Sequence, residues 1–295
     1  MTVVGGAGRW RGAADTGGAA SGFRPARSLR LSVELRRQLM RGRTLLVAAC
    51  AVLLPLVLVV SFGIGDPPAK GPTPDYEALA AESTPNFVMY VMFVAGTYLN
   101  SVLVALLVAD GVASEAAYAS LKYLLAIPVP RLRLLWRKAV VSALLAAVVT
   151  TLVPVVALAV GTLSIGTGDL TTPTGYSLSF WEAVVVLGLA QLYVVVHLAW
   201  LAGLALLLTV STDVPLGAVG GAVLASMFAQ ILDQVTALGA LRDVLPSHYT
   251  WTWMELLSPA PDVRAIADGV LVSVVYACVF GVLAAYRFSR KDITS

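Results

Sequence analysis

Six separate runs of mainly apolar residues constrain this 295-residue chain more than any other feature. Each is about as long as the 20 or so residues that carry an α-helix across the roughly 30 Å hydrocarbon layer of a bilayer. They are Thr44–Gly63, Phe87–Ala109, Ala139–Val160, Trp181–Val210, Pro215–Leu232 and Gly269–Tyr286. The fourth is long enough to tilt or to protrude into water, and the fifth is the weakest, with Gln230 and Asp233 near its end. Hydrocarbon offers backbone N–H and C=O groups no partner, so a span has to satisfy its own, as a closed helix does. A membrane β-barrel needs segments of about ten residues with alternating polarity, and the chain has no such pattern. Composition agrees, since 13% charged residues are too few to cover a soluble surface, for which about 25% is usual. The expected fold is an all-α integral membrane protein with six transmembrane helices.

Charge sets the expected orientation. Nine arginines precede the first run, five Lys and Arg residues lie between the second and third, and Arg287, Arg290 and Lys291 follow the sixth. Only Lys70, Arg242 and Arg264 fall on the other side of a six-span arrangement. Basic residues are retained on the cytoplasmic side, so both termini are expected there, in a multi-pass protein of the cell (cytoplasmic) membrane. The first run starts at Thr44 without a small-residue cleavage pattern and is read as a span rather than a signal. Residues 1–27 read as a disordered cytoplasmic tail, 28–43 as an amphipathic interfacial helix, 44–286 as the six-span domain and 287–295 as a basic cytoplasmic tail. Residues 64–86, with five prolines, form an external loop. A longer one, 233–268, carries Tyr249, Trp251, Trp253 and Met254, which suits a short helix lying at the outer interface or dipping partway into it.

Two cytoplasmic segments carry the functional reading. In 28–41, Leu31, Leu35 and Leu39 recur at four-residue spacing beside Glu34, Arg36 and Arg37. That pattern fits a helix in the plane of the interface, its leucines in the acyl boundary and its cations at the headgroups; it is either an anchor or a lever on the first span. In 111–138, helix-forming residues place Tyr118, Leu121 and Leu125 on one side before Pro128 and Pro130 stop the helix, and Arg131 to Lys138 lead into the third span. Such a helix is either a well-formed loop or a contact seated in a partner's socket.

The run from Glu115 through Leu121-Lys122-Tyr123-Leu124-Leu125-Ala126-Ile127-Pro128-Val129-Pro130-Arg131 to Lys138 resembles permeases of the type-2 ABC transporter class. The order of elements is similar too: an amphipathic first helix, six spans, a long external segment before the sixth, and a basic tail. The Gly-Thr pair often found after the Glu is replaced here by Ala119-Ser120, which keeps the helix but weakens the motif. The resemblance implies that the helix between spans two and three is a coupling helix docking on an ATP-binding subunit, with Glu115, Tyr118, Leu121, Lys122, Leu125, Pro128 and Arg131 as contact residues. It implies two copies of that subunit, a second permease chain, identical or paralogous, and ATP with Mg bound by the partner rather than by this chain. No G-x-x-x-x-G-K-[ST] phosphate loop occurs in the sequence. The expectation is an exporter permease that breaks no covalent bond and contacts membrane lipid but no nucleic acid.

Polar residues inside the spans are the remaining candidates, because ionisable and amide groups are costly in lipid and mark pathways. Asn100, Gln191 and His197 are candidate pathway residues, while Glu182 and Asp233 sit near span ends, where water relieves them. Gly217 and Gly221 form a G-x-x-x-G spacing that lets helix backbones approach, and are candidate packing positions. No catalytic, cofactor or metal residues are assigned: the histidines are only His197 and His248, and H-E-x-x-H and paired-Glu motifs are missing. A membrane-embedded enzyme and an ATP-independent secondary transporter remain the alternatives.

Overall fold

The computed structural model describes residues 31–65, 76–117, 131–212 and 214–290. Among these, six helices are long and apolar enough to cross a membrane: Gly42–Ile64, Thr84–Ala109, Leu132–Ser164, Phe180–Ser211, Pro215–Asp233 and Val263–Arg290. The molecule is an all-α membrane protein. Helix α1 (Leu31–Leu39) leads through a tight turn into α2 (Gly42–Ile64), the first span. A short helix α3 (Tyr76–Ala80) precedes span two, which consists of α4 (Thr84–Val94), a π-helical turn at Ala95–Leu99 and α5 (Asn100–Ala117). Span three is the 34-residue helix α6 (Arg131–Ser164). Span four is α7 (Phe180–His197) followed by α8 (Ala199–Ser211), span five is α9 (Pro215–Asp233) and span six is α10 (Val263–Arg290).

Local chemistry explains several of these boundaries. The N-terminus of α4 has Ser83 as its cap and a proline in its first turn, where the missing N–H costs nothing. At α7 the Ser179 backbone N–H and hydroxyl both donate to the Glu182 carboxylate, at 3.1 and 2.7 Å, which ties down the start of the helix. Glu182 is thus a helix cap rather than a pathway group. Pro55 and Pro154 lie inside α2 and α6 without ending them, as membrane helices allow when neighbours re-satisfy the freed carbonyls.

The helices run past the apolar runs of the sequence at several ends. Residues 131–138, expected as part of the loop, are the first two turns of α6, and α5 continues to Ala117. Basic residues end an apolar run, but they do not end a helix that continues into water. The fourth span carries one turn residue, Leu198 (φ −66°, ψ −6°), between α7 and α8, and helical bonding continues across it: the Leu198 N–H donates to the Val194 carbonyl at 2.9 Å and its carbonyl accepts from Ala202 at 3.0 Å.

Span two is the centre of the bundle. It packs against α2, α6, α8 and α9 and contributes fully buried Phe87, Met89, Val91 and Leu103 to the core. Spans one, five and six keep broad apolar faces outward, including Leu53, Val57, Phe228, Ile231, Leu271 and Val282. Such faces are stable against lipid and not against water. Both cysteines, Cys50 and Cys278, are free and lie on this outer surface, not in the interior that their apolar context suggests.

Candidate functional site

The segment after span five folds back between the spans. It consists of 3₁₀ turns over Thr236–Val244, interrupted at Gly239 (φ +52°), Pro246–Tyr249 and Thr252–Leu257. Trp253 is fully buried, and Trp251 packs on Phe93 with ring centroids 4.8 Å apart and planes tilted by 37°. The Trp251 ring also covers Gly96, where a Cβ would meet it at 3.1 Å. Gly96 belongs to the π turn, twelve residues below the start of α4, so Trp251 reaches about 18 Å along that helix at 1.5 Å per residue. At the rim, Asp233 accepts from Arg242 at 3.3 Å and faces His248 Nδ1 at 2.7 Å. Tyr249 donates to the Asp243 carbonyl at 3.0 Å, and burial, with the Asp243 and Asp268 carboxylates nearby, pushes its phenol up from its ordinary value.

Below this cap lies a small polar centre. His197, 4% exposed, has its Nδ1 at 3.0 Å from the Ser273 hydroxyl, and its ring stacks on Tyr193. Ser273 donates to the Gly269 carbonyl at 2.7 Å and Thr250 donates to the Ser247 carbonyl at 2.8 Å. Thr250 Oγ1 lies 3.5 Å from His197 Nε2, so each ring nitrogen of His197 faces a hydroxyl. Tyr193 donates to the Tyr249 carbonyl at 2.9 Å. Together these bonds join α7, α10 and the segment 236–257.

The other candidate pathway residues stand apart from it. Gln191 donates to Thr151 at 3.4 Å and lines a hollow of about 230 Å³ between α6 and α7. Asn100, 6% exposed, follows the π turn, and its Oδ1 has no hydrogen-bond partner among the described residues. Nearby, Ser101 of span two meets Ser226 of span five at 3.1 Å. The structure does not gather Asn100, Gln191 and His197 into one cavity.

Within one chain the two glycines of the G-x-x-x-G pair have different surroundings. A Cβ at Gly221 would meet Leu208 of α8 at 3.2 Å, whereas Gly217 is neighboured only by its own helix start. The close approach lies elsewhere: at Gly203 of α8 a Cβ would meet the Ala277 backbone of α10 at 3.1 Å. The spacings Ala199–Gly203 and Ala277–Gly281 are small-xxx-small patterns that could have marked this contact.

At the opposite end, α1 sits on the foot of α6. Gln38 donates to Glu34 at 3.1 Å and accepts from Ser142 at 3.3 Å, and the Lys138 ammonium lies 3.8 Å from the same Glu34 carboxylate. Gln38, Lys138 and Ser142 are buried. Glu34 also meets Arg37 at 3.9 Å, while Arg36 and Arg37 are exposed and Leu35 half-buried. The inward face of α1 is therefore polar, and Val33, Leu39 and Met40 point outward. The matching four-residue spacings, Glu34–Gln38 and Lys138–Ser142, were the available signal. Of the expected coupling residues, Tyr118, Leu121, Lys122, Leu125 and Pro128 lie outside the described residues; Glu115 is in the last turns of α5 and Arg131 opens α6.

Among the described residues no group of three or more His, Cys, Asp and Glu could hold a metal ion. Five spans packed around a central second span define a polytopic membrane protein. The model of one family, described as ABC-2 family transporter protein, matches residues 35–213, and the chain belongs to that family of ABC transporter permeases. No curated protein matches it.

Proposed function

We propose that this permease subunit couples to a separate ATP-binding subunit through residues 111–130 and works as an exporter, with two permease chains and two ATP-binding subunits in the assembly. ATP and Mg belong to the partner, and this chain supplies the path and the moving parts. The observation that carries the reading is the joint between α1 and α6. The segment 118–130 runs from the end of α5 into the start of α6, and the foot of α6 is fixed to α1 through Glu34, Gln38, Lys138 and Ser142. A displacement of 118–130 by a partner is thereby passed to span three and, through α1, to span one. Buried charge pairs of this kind resist being pulled apart, because separation leaves an unpaired charge out of water.

The test is co-expression with the ATP-binding subunit. Tyr118→Asp with Leu121→Asp should abolish recovery of the complex and at least 90%, as an order of magnitude, of transport-linked ATP turnover, since either charge would be desolvated in a docked contact. Intact complex and turnover would remove the coupling role. Direction is read separately, by whether ATP outside inverted vesicles drives solute inward.

A further inference from the structure

A second feature lies at the same membrane face, where α1 turns into α2. A crevice of about 460 Å³ opens there between spans one, two and five, lined among others by Arg41, Arg43, Thr44, Val47, Leu107 and Val219. Its polarity is graded. Arg41 is half-buried and Arg43 exposed at the end of the bundle, whereas Val47, one turn further along α2, and Leu107 of α5 are buried. Thr44, between the two zones, is 7% exposed, and its hydroxyl has no hydrogen bond among the described residues.

The electrostatics of the backbone run the same way. Both α2 and α9 begin at this crevice, and neither has a side-chain cap on its N-terminus. Uncapped first-turn N–H groups add partial positive charge to that of the two guanidiniums. The polar end therefore suits an anion that accepts several hydrogen bonds, and the walls suit hydrocarbon.

We propose that this crevice holds an anionic phospholipid, its phosphate against Arg41, Arg43 and the Thr44 hydroxyl and an acyl chain along Val47, Leu107 and Val219. The graded walls favour a lipid over a free anion, which would gain nothing from the apolar part. Guanidinium matches phosphate in geometry and stays charged at any physiological pH. The site is at the basic face of the bundle and does not depend on coupling to an ATPase.

The experiment is native mass spectrometry of the full-length chain released from micelles containing phosphatidylglycerol or phosphatidylcholine. Wild-type protein should retain one phosphatidylglycerol in preference to phosphatidylcholine. Arg41→Gln with Arg43→Gln should weaken that retention about tenfold or more, while Arg287→Gln with Arg290→Gln, at the same face but outside the crevice, should leave it unchanged. Val219→Phe fills the wall without altering charge and should also expel the lipid, which keeps the test informative should the arginine variant misfold. Equal loss in both arginine pairs would mean a general charge effect and would overturn the site. So would equal retention of the two lipids, displacement of the lipid by inorganic phosphate, or its displacement on dimerisation, the last assigning the crevice to a second copy.

Discussion

A side chain at Gly203 would meet the Ala277 backbone at 3.1 Å, whereas one at Gly220 would meet nothing within 4 Å. Backbone cannot rotate aside as a side chain can, so Gly203→Val has to push α8 from α10 along their longest contact. Overpacking of this kind costs about 1–3 kcal/mol, and the thermal transition of the detergent-solubilised chain should fall accordingly. Gly220→Ala removes a flexible helix residue without a clash and should stabilise by up to about 1 kcal/mol. Equal shifts in the two variants would mean that the approach of α8 to α10 is not tight. The sequence shows many glycines in apolar runs and cannot say which faces a neighbour; that depends on helix rotation, which only the other five spans determine. Gly217 and Gly221 illustrate the difficulty, since one of the two meets another helix and the other does not.

At the level of elements, α1 meets the bundle through polar groups. Glu34 and Gln38 make its contacts with α6, while Val33, Leu39 and Met40 face outward. The outward apolar groups remain suited to lipid, so both faces are satisfied. Lys138 has a side chain only 4% exposed, and Glu34→Leu would take away a carboxylate 3.8 Å from its ammonium. Breaking a buried pair from one side costs about 3–5 kcal/mol, and the loss should be visible as a lower unfolding temperature. Adding Lys138→Met should recover much of it, a non-additivity that a double-mutant cycle reads directly. If the double variant is as unstable as the sum of the single ones, the pair does not hold α1 to α6.

For the molecule as a whole, the six spans were legible because lipid imposes one requirement on every residue of a run, irrespective of its neighbours. The folding of 236–257 into the bundle was legible only in part, from Trp251 and Trp253, since contacts with Phe93 and Gly96 span some 155 residues of chain. Orientation is open to direct measurement. In a chain with Cys50 and Cys278 replaced by alanine, Thr73→Cys should react with an impermeant maleimide from outside intact cells, and Ser295→Cys only after permeabilisation. The reverse pattern would invert the topology and place α1 and the foot of α6 outside the cell.

Helix α6, at 34 residues, is about 51 Å long at 1.5 Å per residue, well beyond the roughly 30 Å of hydrocarbon it crosses. Its first eight residues, Arg131 to Lys138, form a stub about 12 Å long, against about 39 Å for the remainder. Were the rod to swivel where it enters the lipid, a 1 Å nudge to the stub would swing the distant tip by about 3 Å. That tip abuts Thr84 and Phe87 at Gly161, so gearing of this ratio would convert a small tug on one side of the membrane into a shift as wide as a water molecule on the other.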